Sequence, residues 1–194
     1  MRHWIANKLL KLFGWRTEGS LADYPKCVVV VAPHTSNWDF PVLVLAAVAL
    51  RLKVTWMGKH TLFRPPFGWI MLRLGGMPID RSARHNMVDQ AIESFRVHDR
   101  LLLAIPPEGT RKRAPYWRSG FYHIALGAHV PIALAFADYR RKVGGIGGVI
   151  MPSGDIDADM ALIRDFYSGI VGKRPDQFGE IRLKSQDEAA TSAS

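Results

Sequence analysis

Cysteine is nearly missing from this chain. Cys27 is the only one in 194 residues, which excludes an internal disulfide framework and suits a reducing compartment. Followed by four valines, that thiol reads as a small buried hydrophobe. Long apolar runs are absent too. FPVLVLAAVALRL (40–52) falls well short of the ~20 residues a bilayer crossing needs, so no transmembrane span is expected. The opening MRHWIANKLLKLFGW has neither the apolar core nor the cleavage site of a secretory signal. Seven histidines are scattered without metal-ligand spacing, so no metal is expected. There is no G-x-S-x-G elbow, and GGIGGV (144–149) lacks the third glycine of a dinucleotide fingerprint.

Acidic residues are also in short supply. Against 26 Lys and Arg stand 17 Asp and Glu, for a net charge of +9 and a pI near 10.0. Such a balance calls for an anionic partner: nucleic acid, an anionic membrane surface or a phosphorylated substrate. No nucleic-acid motif occurs and the aromatic residues lie mainly in apolar segments. Nucleic acid is therefore not an expected partner.

What is present reads as one globular domain over 1–182, with a disordered tail over 183–194. On a helix, residues 1–16 gather Ile5, Leu9, Leu12 and Phe13 on one face, with Trp4 and Trp15 at its margins and Lys8 and Lys11 towards the polar side. Such a helix suits a membrane interface or packing on its own domain, and the basic charge favours the membrane. Beyond it, strand-like and helical segments alternate. CVVVVA, VTWMGK, LLLAI and VPIALAFA read as strands. Residues 40–52, FGWIMLRLG, 86–97, SGFYHIALGAH and 157–170 read as helices. RRKVGGIGGVI reads as a strand pair around a glycine-rich bend. Continuous apolar strands between helices predict an α/β sandwich, its mixed, largely parallel sheet covered by helices.

Two loops at the ends of buried strands carry chemistry. APHTSNWDF (32–40) follows the valine run, where α/β folds place ligand crevices. Asp39, with Pro41 just after it, is a plausible helix N-cap. An irregular turn through Thr35, Ser36 and Asn37 would also bring the Asp39 carboxylate onto His34 Nδ1, leaving Nε2 as a base. Backbone N–H groups after His34 would be candidates for an oxyanion hole. With no serine or cysteine nucleophile at hand, that base suits direct attack by a substrate hydroxyl on an activated acyl group such as a thioester. In PPEGTRKR (106–113), Gly109 and Thr110 predict a tight turn, Arg111 a phosphate fork, and Glu108 a carboxylate holding Arg111 in place. A third cluster adds Lys59, Arg64 and Arg81.

The order HTSNWD, GKHTLFR, PPEGTR, HVPIAL over roughly 27–137 resembles the four blocks of the glycerolipid acyltransferase family, which includes the lysophosphatidic acid acyltransferases. The resemblance implies an αβ sandwich, with His34 as general base and Asp39 as its orienting partner. It also implies that Phe63, Arg64, Glu108, Gly109, Thr110 and Arg111 bind the acceptor's polar head, with Pro131 marking a structural fourth block. The chain departs from the family at Pro106, where a phenylalanine is usual. The implied activity moves an acyl group from acyl-CoA or acyl-carrier protein, as co-substrate and without a further cofactor, to a lysolipid or glycerol-phosphate-like hydroxyl. It implies work at the membrane, and with the basic charge and the N-terminal helix the expected place is peripheral, against anionic lipid on the cytoplasmic face of an inner membrane. The rival expectation is a non-catalytic lipid-binding protein on the same fold.

Overall fold

The computed structural model describes residues 2–79 and 84–184. Helix α1 (Arg2–Leu12) is followed by β1 (Arg16–Glu18), β2 (Lys26–Val31), α2 (Asp39–Ala49), β3 (Val54–Lys59), α3 (Gly68–Arg73) and β4 (Gly76–Ile79). Then come α4 (Arg84–Val97), β5 (Leu101–Ile105), α5 (Gly120–Gly127), β6 (Ile132–Asp138), β7 (Val143–Ile150) and α6 (Ile156–Tyr167). The strands form one sheet in the order β1-β7-β6-β2-β5-β3-β4. The five strands from β6 to β4 are mutually parallel, while β7 runs antiparallel to β6 and carries β1 parallel to itself. This is the expected mixed, largely parallel sheet.

Alternation along the strands divides the residues between two faces. Val28, Val30, Leu103, Ile132 and Leu134 point to a face covered by α4, α5 and α6, where Trp117, Phe121, Tyr122 and Tyr167 are almost fully buried. Each such side chain contributes about 1.5–3 kcal/mol by leaving water. Cys27, Val29, Leu102, Ala133 and Ala135 point to the other face. Burial alone pushes the Cys27 thiol up to about 12, as expected of a packing residue. α2 crosses this second face above β7, where a Cβ on Gly144 would come within 3.5 Å of Ala46 Cβ.

Several expectations change. RRKVGGIGGVI is not a strand pair: β7 is one strand, and the reversal lies before it, where the Asp138 carboxylate accepts the N–H groups of Arg140 and Arg141. The glycines serve close approach instead. A Cβ on Gly145 would stand 1.9 Å from the Glu18 carbonyl, and one on Gly147 would stand 2.1 Å from the Phe166 ring. The short strand β1 has no apolar signature that would announce it. α1 ends at Leu12, so Trp15 is no part of its margin; it is buried edge-on to Tyr139 at 4.9 Å. Ala6 and Leu10 of α1 are buried in the fold, whereas Trp4, Ile5, Leu9, Leu12 and Phe13 remain exposed. At the other end, buried Leu183 bridges Trp117, so the packed chain reaches that residue. Residues 185–194 of the expected tail lie outside the described residues, as do Arg81 and the side chain of Lys59.

Candidate active site

The loop after β2 folds Asp39 back onto His34. The Asp39 carboxylate is 0% exposed, and its Oδ2 accepts the N–H groups of Thr35 and Ser36 at 2.7 Å each. The same oxygen stands 3.5 Å from His34 Nδ1, while the His34 side chain keeps 22% of its surface exposed. That separation is slightly beyond a hydrogen bond, as is common before substrate tightens a site. The cap expectation is corrected here. α2 begins at Asp39 with Trp38 as its N-cap and no side-chain cap bond. The carboxylate caps the preceding turn rather than the helix.

The oxyanion expectation narrows as well. His34, Thr35 and Ser36 all donate their N–H groups to carboxylates. Trp38 N–H donates to the Ser36 hydroxyl and Asp39 N–H to the Ser36 carbonyl. Within this turn, Asn37 N–H is the one left without an acceptor among the described residues.

The loop after β5 meets this turn from the side. Glu108 turns inward, 6% exposed, and both of its oxygens take the His34 N–H, at 3.1 and 3.0 Å. Burial pushes its pKa up to about 7 against the opposing pull of that hydrogen bond. Glu108 therefore does not hold Arg111, as the spacing had suggested; the Arg111 guanidinium donates to Asn37 Oδ1. Gly109 adopts φ +66° with Arg118 laid across it, so close that a Cβ would meet Arg118 Nε at 2.6 Å. Thr110 is exposed and its hydroxyl accepts Lys112 N–H at 3.2 Å. Pro131 supplies a carbonyl to Val28 N–H at 2.9 Å, a purely structural contact.

Beside the pair lies a cavity of about 650 Å³ between α2 and the second sheet face. Its walls include Val29, Val31, Leu43, Ala47, Ala104 and Ala135, so small side chains on the strands leave the space that the helix spans. His34, Asn37, Pro106 and Arg111 line it at the carboxyl ends of the strands; Arg2, Leu50, Lys53 and Arg73 line it at the opposite end. α2 has 11 residues, so the distance between those ends is about 16 Å. Phe63 and Arg64 are not among the lining residues. Phe63 stacks on Trp56 at 5.9 Å and packs against Gly58 and Gly76. Arg64 is exposed, and its carbonyl accepts Gly68 N–H. The fold thus brings His34 together with Asp39 and Glu108, and Arg111 with Asn37 of the same turn, while Phe63 packs behind Trp56, itself a residue of the cavity wall.

Sequence reasoning missed Asn37, Arg118 and Tyr139. Asn37 was legible only as a residue of the turn, and Arg118 as a basic residue shortly after the second loop. Tyr139 comes from the β6–β7 reversal, and its buried hydroxyl lies beside the buried Asp39 carboxylate. Burial and the nearby Asp39 carboxylate push the phenol's pKa up.

A family model described as Acyltransferase matches residues 20–135, which takes in both loops and more than half of the chain. In fold, the chain is similar to the crystal structure of the 1-acyl-sn-glycerophosphate (LPA) acyltransferase PlsC from Thermotoga maritima. The TM-score is 0.59 over 86% of this chain and 75% of that one, at 18% sequence identity. No curated protein matches the sequence.

Proposed function

The chain belongs to the acyltransferase family, and from that premise we propose that it moves a fatty acyl group from a thioester to a lipid hydroxyl. The donor is acyl-CoA or acyl-carrier protein, and the acceptor a lysophospholipid or glycerol-phosphate-like alcohol. The observation that carries this reading is the His34–Asp39 pair at one end of a largely apolar cavity of about 650 Å³ that runs under α2.

Asp39 holds the imidazole with its proton on Nδ1, and Nε2 takes the proton of the acceptor hydroxyl as its oxygen attacks the thioester carbonyl. The tetrahedral oxyanion is met by Asn37 N–H, the donor the turn leaves free. The carbon–sulfur bond then breaks, His34 returns the proton to the departing sulfur, and the ester is released. The cavity takes the hydrocarbon of the acyl group, and Arg111 binds an incoming phosphate. Glu108 acts on the reaction by holding the His34 backbone. No cofactor or metal enters this scheme.

Among the described residues, no helix is long and apolar enough to cross a membrane. The exposed face of α1 and the exposed Leu62, Phe67, Trp69 and Leu72 around α3 suit docking on the surface of a bilayer. Arg2 and Arg73, which line the cavity, belong to these same two helices. The basic charge suits anionic lipid, on the cytoplasmic face of an inner membrane.

The test is free-thiol release from acyl-CoA, and then from acyl-carrier protein, with a panel of lysophospholipids and glycerol phosphates. Acceptor-dependent release is expected. Silence with both donors while liposomes still bind would instead assign the chain to lipid binding without turnover.

A further inference from the structure

The turn that carries His34 and Asp39 is gripped from outside by a segment the family match does not reach. Residues 171–174, Val-Gly-Lys-Arg, follow α6 and lie against the turn through their backbone. The Val171 carbonyl accepts Tyr139 N–H at 2.8 Å, and Arg174 N–H donates to the Thr35 hydroxyl at 3.2 Å. A Cβ on Gly172 would stand 2.9 Å from Thr35 Oγ1 and 3.0 Å from Pro33 Cβ. Main-chain contacts on both sides of residue 173 fix where its side chain starts. Lys173 extends over the turn, its ammonium 5.0 Å from the centre of the Trp38 ring and 5.7 Å from that of Tyr139.

No carboxylate lies within ion-pair distance of it among the described residues, and two features mark its setting. The ring it rests on is 62% exposed, so Trp38 contributes little to the core and offers most of its surface outside. Trp38 also directly follows Asn37, which accepts from Arg111. Consecutive residues of the His34 turn therefore each support one cation: Asn37 the arginine of the 106–113 loop, Trp38 the lysine of the 171–174 segment.

Acyl transfer as proposed above brings two phosphate-bearing molecules to one histidine: a thioester donor with its phosphopantetheine, and a phosphorylated acceptor. One arginine fork serves one of them. We infer that Lys173, backed by Trp38 and Tyr139, is the contact for the second phosphate, an inference that rests on the acyl-transfer reading. Aromatic faces hold an ammonium in place without neutralising it. Its N–H donors stay available for phosphate oxygens, to which charge-assisted bonds are strong.

The experiment uses the full chain, Lys173→Met, and Arg100→Gln as a control that removes one positive charge far from the site. Turnover is measured with acyl-CoA and with an acyl N-acetylcysteamine thioester, which lacks phosphate. It is also measured with lysophosphatidate and with monoacylglycerol, which again lacks it. Lys173→Met is expected to raise KM for one phosphate-bearing substrate about tenfold with kcat nearly unchanged, and Arg100→Gln to do neither. Loss of the penalty with the phosphate-free thioester assigns the contact to the donor; loss with monoacylglycerol assigns it to the acceptor. A penalty that survives both replacements, or no penalty at all, overturns the inference. Calorimetric binding of coenzyme A and of glycerol 3-phosphate to both proteins separates it from the function reading. Were wild type to transfer nothing, the acyl-transfer reading would fail, while unchanged affinity for both probes in Lys173→Met would overturn the lysine's role independently.

Discussion

The two faces of the sheet come from the same strands yet hold opposite contents. On one, Trp117, Phe121, Tyr122 and Tyr167 fill the space beneath three helices, and almost nothing is exposed. On the other, small side chains such as Ala104 and Ala135 leave about 650 Å³ open under α2. The filled face concentrates the favourable burial. The hollow face gives that up and gains a cavity that ends at the His34–Asp39 pair. Glu108 lies where the two meet: it holds the His34 backbone on one side, and its charge, after burial, helps push up the pKa of Tyr167 on the other.

That contrast can be attacked from either face. The largest effect is expected on the filled one. Trp117→Ala should cost about 3–5 kcal/mol by chemical denaturation and leave acyl-chain preference alone; a shift in preference would merge the two faces functionally. Next comes Glu108, whose folded pKa of about 7 lies above its ordinary 4.5 because it is buried. Between those values the folded state binds more protons than the unfolded one, so this group's contribution is full below pH 4.5 and is lost as pH rises through 7. The loss is about 3 kcal/mol. Wild type should weaken across that window relative to Glu108→Gln, and parallel pH–stability curves for the two would refute the inward carboxylate.

Asp39→Asn keeps the side chain's shape but removes the charge beside His34 Nδ1. Transfer should fall about a hundredfold, read as kcat, with chain preference intact. The smallest effect belongs to the hollow face. Ala104→Leu should change stability by under about 1 kcal/mol, since it grows into open space, while rejecting the longest accepted chains about tenfold. Unchanged selectivity would place the hydrocarbon outside the cavity.

Strands of continuous valine, leucine and alanine were readable because burial on both faces leaves a run with little interruption, as in Cys27–Val31. The His34 turn was readable because its residue types have few other reasons to follow such a strand. Less accessible was everything set by backbone approach across the fold. The bond from His34 N–H to Glu108 joins residues 74 apart, so no local spacing could tell an inward Glu108 from one serving Arg111. The glycines of β7 looked like a bend because a glycine that admits Glu18 or Phe166 at close range looks the same in sequence as one that turns the chain. Phe63 came from block resemblance alone and Arg64 from that and its basic cluster, and neither is among the residues lining the cavity. Lys173 lay in a stretch with no pattern at all.

The most direct test of the account is the rate of acceptor-dependent thiol release by His34→Ala beside wild type, with unfolding midpoints measured on the same preparations. A general base at Nε2 predicts a loss of about 10²–10⁴-fold at an unchanged midpoint. Release at a rate near wild type would remove His34 from the chemistry and leave Asp39 as a loop cap alone.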